Sequence, residues 1–222
     1  MRITSCLPLL ALATKVACLP YKQDVTGSPS EGSRIITDDN DLPFQGDEPL
    51  WEVQVSDDEE PKYFSGSVEE AYKKVLDLNP DYGKDRPVVN VTLGPDDKEL
   101  NKRDVQGNPV CWDNRRVNML RMQEEVFRLD RMNAYLNIAP RRCSRIGCSW
   151  NAGIAICNDR NDLTWSLHTS LIISYVSRIS NSCSYQGVSM GGQQFDTGGF
   201  NVIAANMNCG ATASWAVGTN PP

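Results

Sequence analysis

Six of the eight cysteines lie beyond residue 110, at Cys111, Cys143, Cys148, Cys157, Cys183 and Cys209. The other two, Cys6 and Cys18, fall within the first eighteen residues, and none lies between the two groups. Such a density fits an oxidising compartment in which thiols are held as disulfides. It confines any covalent stapling to the second half of the 222-residue chain. Spacing alone does not choose among the possible pairings.

The first eighteen residues have the layout of a secretory leader, which would carry Cys6 and Cys18 away with it. Arg2 precedes a short apolar core, Cys6–Ala13, and Val16-Ala17-Cys18 places small residues before Leu19. No apolar run reaches the roughly 18 residues of a spanning helix, so an integral membrane protein is not expected. Residues 19–103 carry 20 acids and 10 bases and read as an acidic pro-segment. Its Asp38–Glu60 stretch, rich in Asp, Glu, Pro and Gly, reads as disordered, and the whole segment as largely so. One helix is expected within it, Ser67–Leu78, with Ser67 as N-cap and Glu70 completing a capping box. Asn90-Val91-Thr92 is a glycosylation sequon at Asn90. The segment ends on Lys102-Arg103, a dibasic pair of the kind cut by kexin-type proteases, placed where the acidic composition gives way to the cysteine-rich one. The mature part is therefore expected to be residues 104–222.

Within that part the expected order is β-α-β-β-α-β. A short strand at Asn108–Cys111 precedes a helix over Asn114–Asn137 capped by Asp113, with Met119, Met122, Val126 and Leu129 on one stripe and Leu120, Phe127 and Ala134 widening it. Strands Ser144–Trp150 and Ile154–Asn158 form a hairpin around Asn151-Ala152-Gly153. A helix over Leu167–Ser182 presents Leu171, Ile172, Tyr175, Val176 and Ile179, and the last strand lies in Gln193–Asn208, with Phe200, Val202 and Ala204 on one face and Asn201 and Ile203 on the other. This predicts an α+β fold: a ferredoxin-like sandwich, disulfide-stapled, with two helices on a four-stranded antiparallel sheet. The three-residue hairpin loop would put Ile146, Cys148, Trp150, Ile154 and Ile156 in the core and point Cys157 away. Cys148 and Cys157 are then not bonded to each other.

Catalytic chemistry has little to stand on. His168 is the only histidine, which excludes two-histidine sites. It has no nucleophile motif around it. A ribonuclease pairing it with Glu124 and Glu125 would draw both acids from one helix. A carboxylate pair for sugar hydrolysis is not ruled out by composition. No metal or cofactor is indicated. All ten bases of the mature part are arginine and none is lysine. Arg121, Arg128 and Arg131 recur on the polar side of the first mature helix, and Arg141, Arg142 and Arg145 follow. They form a possible binding surface, because guanidinium forks suit carboxylates, phosphates and aromatic rings. Paired with Glu124 and Glu125, the same arginines also make an ordinary solvated helix face.

The run from Cys143 to Asp159, Cys-Ser-Arg-Ile-Gly-Cys-Ser-Trp-Asn-Ala-Gly-Ile-Ala-Ile-Cys-Asn-Asp, resembles small secreted proteins of filamentous ascomycetes. With the helix ending at Cys183 and the closing Gln193–Cys209 segment, it is similar to the killer-toxin-like α/β effectors, related in architecture to necrosis-inducing extracellular effectors. The resemblance implies a secreted effector with a part in virulence and no enzymatic activity. It implies binding to a host or competitor protein or surface component, after a kexin-type protease has freed the domain. No specific nucleic-acid partner is expected. The alternatives are a secreted hydrolase (ribonuclease or cell-wall glycosidase) and a carbohydrate-binding module using Trp112, Trp150, Trp165 or Trp215. The opposite charges of the two halves suggest that the pro-segment assists folding or masks the arginine surface.

Overall fold

A computed structural model describes residues 46–85 and 105–210. The leader, Asn90, Lys102, Arg103 and Trp215 lie outside the described residues. Strands β1 (Leu50–Val53) and β2 (Lys62–Ser65) and helix α1 (Val68–Leu78) come from the acidic segment. They are followed by β3 (Val105–Cys111), β4 (Val117–Asn118), α2 (Met119–Met132), β5 (Tyr135–Ile138), β6 (Cys143–Ser149) and β7 (Ala152–Asn158). The chain continues with β8 (Trp165–His168), α3 (Thr169–Cys183), β9 (Ser189–Met190), β10 (Gly192–Asp196) and β11 (Phe200–Asn206).

The fold is α+β with antiparallel sheets and three disulfides, but the ferredoxin-like arrangement is not the one observed. The main sheet has five strands in the order β3-β10-β11-β7-β6. The expected last strand is two strands, because Asp196 to Gly199 turns the chain back and pairs Gly192 with Ala204. Gly199 sits at φ 91°, a conformation glycine adopts without a Cβ penalty. Period-2 alternation divides the sheet faces. Ile154, Ile156, Phe200, Val202 and Ala204 face the main core with α2 and α3, while Ala155, Cys157, Ile203 and Ala205 form a smaller cluster with Trp112 and Met207 on the other side.

The first mature helix is shorter than its sequence suggests. Val117-Asn118 pairs with Ser189-Met190 as a small ladder. Asn118, rather than Asp113, then caps α2 by accepting from the Leu120 and Arg121 N–H groups. Asp113 instead pairs with Arg116 at 2.5 Å. Asn133, in the left-handed region, ends α2 before Pro140 is reached. Leu120 and Phe127 are exposed rather than part of the buried stripe. The α3 face holds as expected, with Ile172, Tyr175, Val176 and Ile179 buried.

The hairpin register differs as well. Trp150 and Asn151 form a two-residue turn, both at positive φ, with Ser149 opposite Ala152 and Cys148 opposite Gly153. A bulge between Arg145 and Gly147 returns Ile146 to the core. Trp150 is consequently at the tip, not in the core. Cys148 packs on the same outer cluster as Cys157. The two are still not bonded to each other. The disulfides are Cys111–Cys183, Cys143–Cys157 and Cys148–Cys209. They tie the end of α3 to β3, link β6 directly to β7, and fasten the chain beyond β11 to β6.

The largest departure concerns the acidic segment. The disordered reading does not hold over residues 46–85, which are built into the fold. β1 lies between β2 and β5 in a four-stranded sheet of order β2-β1-β5-β8. Trp51 is 0% exposed, and Val53, Phe64, Val68, Ala71 and Val75 share the main core with Met122, Val126, Leu129 and Ile146. With Val55 and Tyr82, eight apolar side chains scattered through a highly charged stretch suffice, because the rest of the molecule supplies the other wall of the core. The expected capping box on α1 is present, Ser67 and Glu70 each satisfying the other's backbone N–H.

Candidate functional site

The site begins with the seam between residues 46–85 and 105–210. Main-chain pairing runs along it, with Trp51 opposite Leu136 and Glu52 opposite Tyr135. Asp47 N–H donates to the Cys143 carbonyl at 2.7 Å. Tyr82 donates its hydroxyl to the Met132 carbonyl at 2.7 Å, and Arg131 donates to the Gly83 carbonyl at 2.7 Å. The Tyr82 hydroxyl thereby caps a carbonyl of the C-terminal turn of α2, where the last carbonyls have no partners within the helix.

Two acids meet at the edge of the seam's apolar centre. Glu125 on α2 is 0% exposed, and Glu69 opens α1 opposite it. Oε1 of Glu125 accepts from Arg128 at 2.5 Å and from the Ser149 hydroxyl. Glu69 accepts from the Cys148 N–H at 3.2 Å and lies 3.9 Å from Arg128. Oε2 of each acid is buried without a donor among the described residues. A proton shared between the two carboxyl groups would satisfy both. Burial, then the hydrogen bond to Glu69, push the Glu125 carboxyl up to about 8. Burial acts on Glu69 in the same direction, but hydrogen bonds from Glu125, Ser67 and the backbone outweigh it and hold Glu69 below its ordinary value. Protonation is therefore favoured at Glu125 over Glu69. Gly147, at the bulge, makes room for this pair: a Cβ there would stand 2.8 Å from Glu125 Oε2 and 3.2 Å from Val68 Cγ1.

The arginines do not form one surface. Arg128 and Arg131 are turned to the acidic segment as described, and Arg142 reaches toward Asp47 at 4.0 Å. Arg145 donates to the Asn208 carbonyl at 2.6 Å. Arg141, at φ 55°, donates its backbone N–H to the Arg160 carbonyl at 2.9 Å. Arg121 pairs with Glu124 at 2.8 Å and lies 4.8 Å over the ring of Trp150. Trp150 is 73% exposed, in a left-handed conformation that bulky residues seldom adopt. Cys148–Cys209 anchors the strand two residues before it.

An open cleft of about 470 Å³ lies between α1 and α2, lined by Tyr72, Leu76, Tyr82, Phe127, Arg128 and Arg131 among others. His168 caps α3, its Nδ1 accepting from the Ser170 N–H at 3.2 Å, and its ring packs edge-on against Tyr135. That is a structural role. Trp112 is buried, and Trp165 packs against Phe200. No group of three metal-ligating side chains occurs among the described residues, and no helix there is long and apolar enough to cross a membrane.

Sequence reasoning missed the Glu69–Glu125 pair. One signal for half of it was present: Glu125 stands three residues after Met122 and four before Leu129, on the buried stripe of α2. The exposure of Trp150 depended on the turn register, which was misplaced.

The class defined so far is a disulfide-bonded α+β protein whose acidic upstream segment completes its core. No protein-family model, no curated protein and no solved structure matches the chain.

Proposed function

We propose that this chain is a secreted, kexin-processed effector or toxin-like protein of a filamentous fungus that acts by binding a host or competitor target rather than by catalysis. The finer kinship with killer-toxin-like α/β effectors rests on the Cys143–Asp159 run. Three disulfides in a compact α+β body suit an extracellular life. The observation that carries the binding reading is the Trp150–Arg121 pair. The two-residue turn demands a positive φ at this position, which Gly or Asn adopts at less cost, so an exposed tryptophan stacked by an arginine at a disulfide-anchored tip is a side chain the turn itself does not call for. Trp and Arg are the residues most enriched among binding hot spots. The binding surface proposed here is therefore Trp150 with Arg121, since Arg128, Arg131 and Arg142 are engaged along the seam.

The glycosidase alternative loses support from the acid pair. Glu69 and Glu125 sit in a seam filled by the acidic segment, with Glu125 0% exposed, whereas glycosidase carboxyls stand about 5–10 Å apart with the scissile bond between them. Labelled secreted protein, tested on plant protoplasts and on yeast cells, is expected to bind one of them in a saturable way. Trp150→Ala should weaken that binding at least tenfold with the fold intact. Equal binding by Trp150→Ala would remove this surface, and retention on a glycan array would shift the reading to a carbohydrate-binding module.

A further inference from the structure

No disulfide crosses the seam: all six bonded cysteines lie between Cys111 and Cys209. A cut at Lys102-Arg103 would therefore leave residues 46–85 attached by non-covalent contacts alone. Those contacts are of the kind that hold a core together. β1 is an interior strand, hydrogen-bonded to β2 on one side and β5 on the other. Trp51 is fully buried, with its Nε1–H satisfied by the Gly66 carbonyl at 2.9 Å within the same segment. Val68, Ala71 and Val75 of α1 pack into the cluster that contains Met122, Val126 and Ile146. The polar contacts of Tyr82, Arg131, Asp47 and Glu69 lie around this apolar centre.

We infer that the segment Gly46–Asp85 is not discarded on maturation but remains seated against α2 and β5 as a second polypeptide, so that the active protein is a non-covalent two-chain molecule. This rests on the proposed processing and changes its meaning, since cleavage then severs a connection without uncovering the core. An extended strand added to a sheet is held by its main-chain hydrogen bonds, with alternate side chains giving specificity. Here Trp51 and Val53 are those alternate side chains, both buried. The occupant is thus this chain's own upstream segment, and the mature half alone would present an apolar groove in its place.

Two preparations separate the inference from the processing it rests on. The first is the native chain secreted by a fungal host, measured by denaturing and by native mass spectrometry. An uncut chain there would refute the processing reading and leave retention to the second preparation, in which Lys102-Arg103 is replaced by the site of a sequence-specific protease and the purified protein is cut in vitro. The expected result is two masses under denaturing conditions without reductant and one complex of their sum under native conditions, co-eluting at micromolar concentration. Trp51→Ala in the same cut protein should release the small fragment, while the uncut Trp51→Ala chain keeps it by tethering. Separation of the two polypeptides after cutting of the wild-type sequence, whether the larger one stays folded or precipitates, would overturn the inference.

Discussion

Glu125→Gln isolates the buried proton at the seam. Glutamine keeps a carbonyl for Arg128 and Ser149 and places an amide where the shared proton lies, without a charge to lose. In the folded wild type the Glu125 carboxyl holds its proton up to about 8, against an ordinary value of 4.5. Between those two values the unfolded chain has released this proton and the folded chain has not. Raising pH through that window therefore favours unfolding, and the loss is complete once pH exceeds the folded value. At about 1.4 kcal/mol per pH unit the ceiling is about 5 kcal/mol. Solvent at the Glu69 and Arg128 rim, where those side chains are 28% and 32% exposed, reduces the expected loss to about 1–3 kcal/mol. Glu69 contributes with the opposite sign and in a different range: its lowered value adds stability that is lost as pH falls below 4.5. Urea unfolding followed by tryptophan fluorescence between pH 5 and pH 9 should show wild-type stability falling through the window while Glu125→Gln stays level. The two proteins should be similar at pH 5, with the variant the more stable at pH 9. Parallel curves for both would refute the shared proton.

Other perturbations bear on the same framework. Trp51→Ala empties a fully buried site on β1 and should cost about 3–5 kcal/mol in urea unfolding of the uncut chain. Gly147→Ala drives a methyl group against Glu125 and Val68, and should destabilise by about 1–3 kcal/mol, with the loss reduced in a Glu125→Ala background where the nearer clash is gone. Replacing both Cys111 and Cys183 by Ser opens a loop with a sequence separation of 72 and should lower stability by about 2–5 kcal/mol, measured by the thermal midpoint under non-reducing conditions. His168→Ala should remove an N-cap and cost about 1 kcal/mol without altering cell binding.

The sequence was most readable where one local rule acted alone. The capping box of α1, the buried face of α3 and the alternation of Phe200 to Ala204 each follow from periodicity or a capping pair, and each stands in the structure. It was least readable where two distant segments compete for a residue. Val117-Asn118 has a helical neighbourhood but pairs with Ser189-Met190, which moves the cap from Asp113 to Asn118. Glycine tolerates positive φ, which points to a turn at Gly153, yet Trp150 and Asn151 take that conformation. Gly153 instead stands where Met207 packs closely over the strand and leaves no room for a Cβ. The order of the acidic segment is hidden from composition, which averages over it. Trp51, Val53, Phe64 and Val75 are few, but each lands on the core, and no local property of residues 46–60 says that β5 waits beside them. Of the candidate surface, the arginines were visible as a cluster, but their separation by the seam depends on the tertiary fold.

The position of β1 between two neighbours has a consequence for handling the protein. A strand removed from the interior of a sheet leaves open edges, and an open edge offers unpaired N–H and C=O groups to any other chain. On the downstream half that edge is β5, Tyr135–Ile138, whose own Leu136 and Ile138 lose their cover. Expression of residues 104–222 without the upstream segment should therefore yield material that pairs edge to edge and aggregates. Supplying residues 46–85 as a separate peptide during refolding should restore the soluble monomeric form.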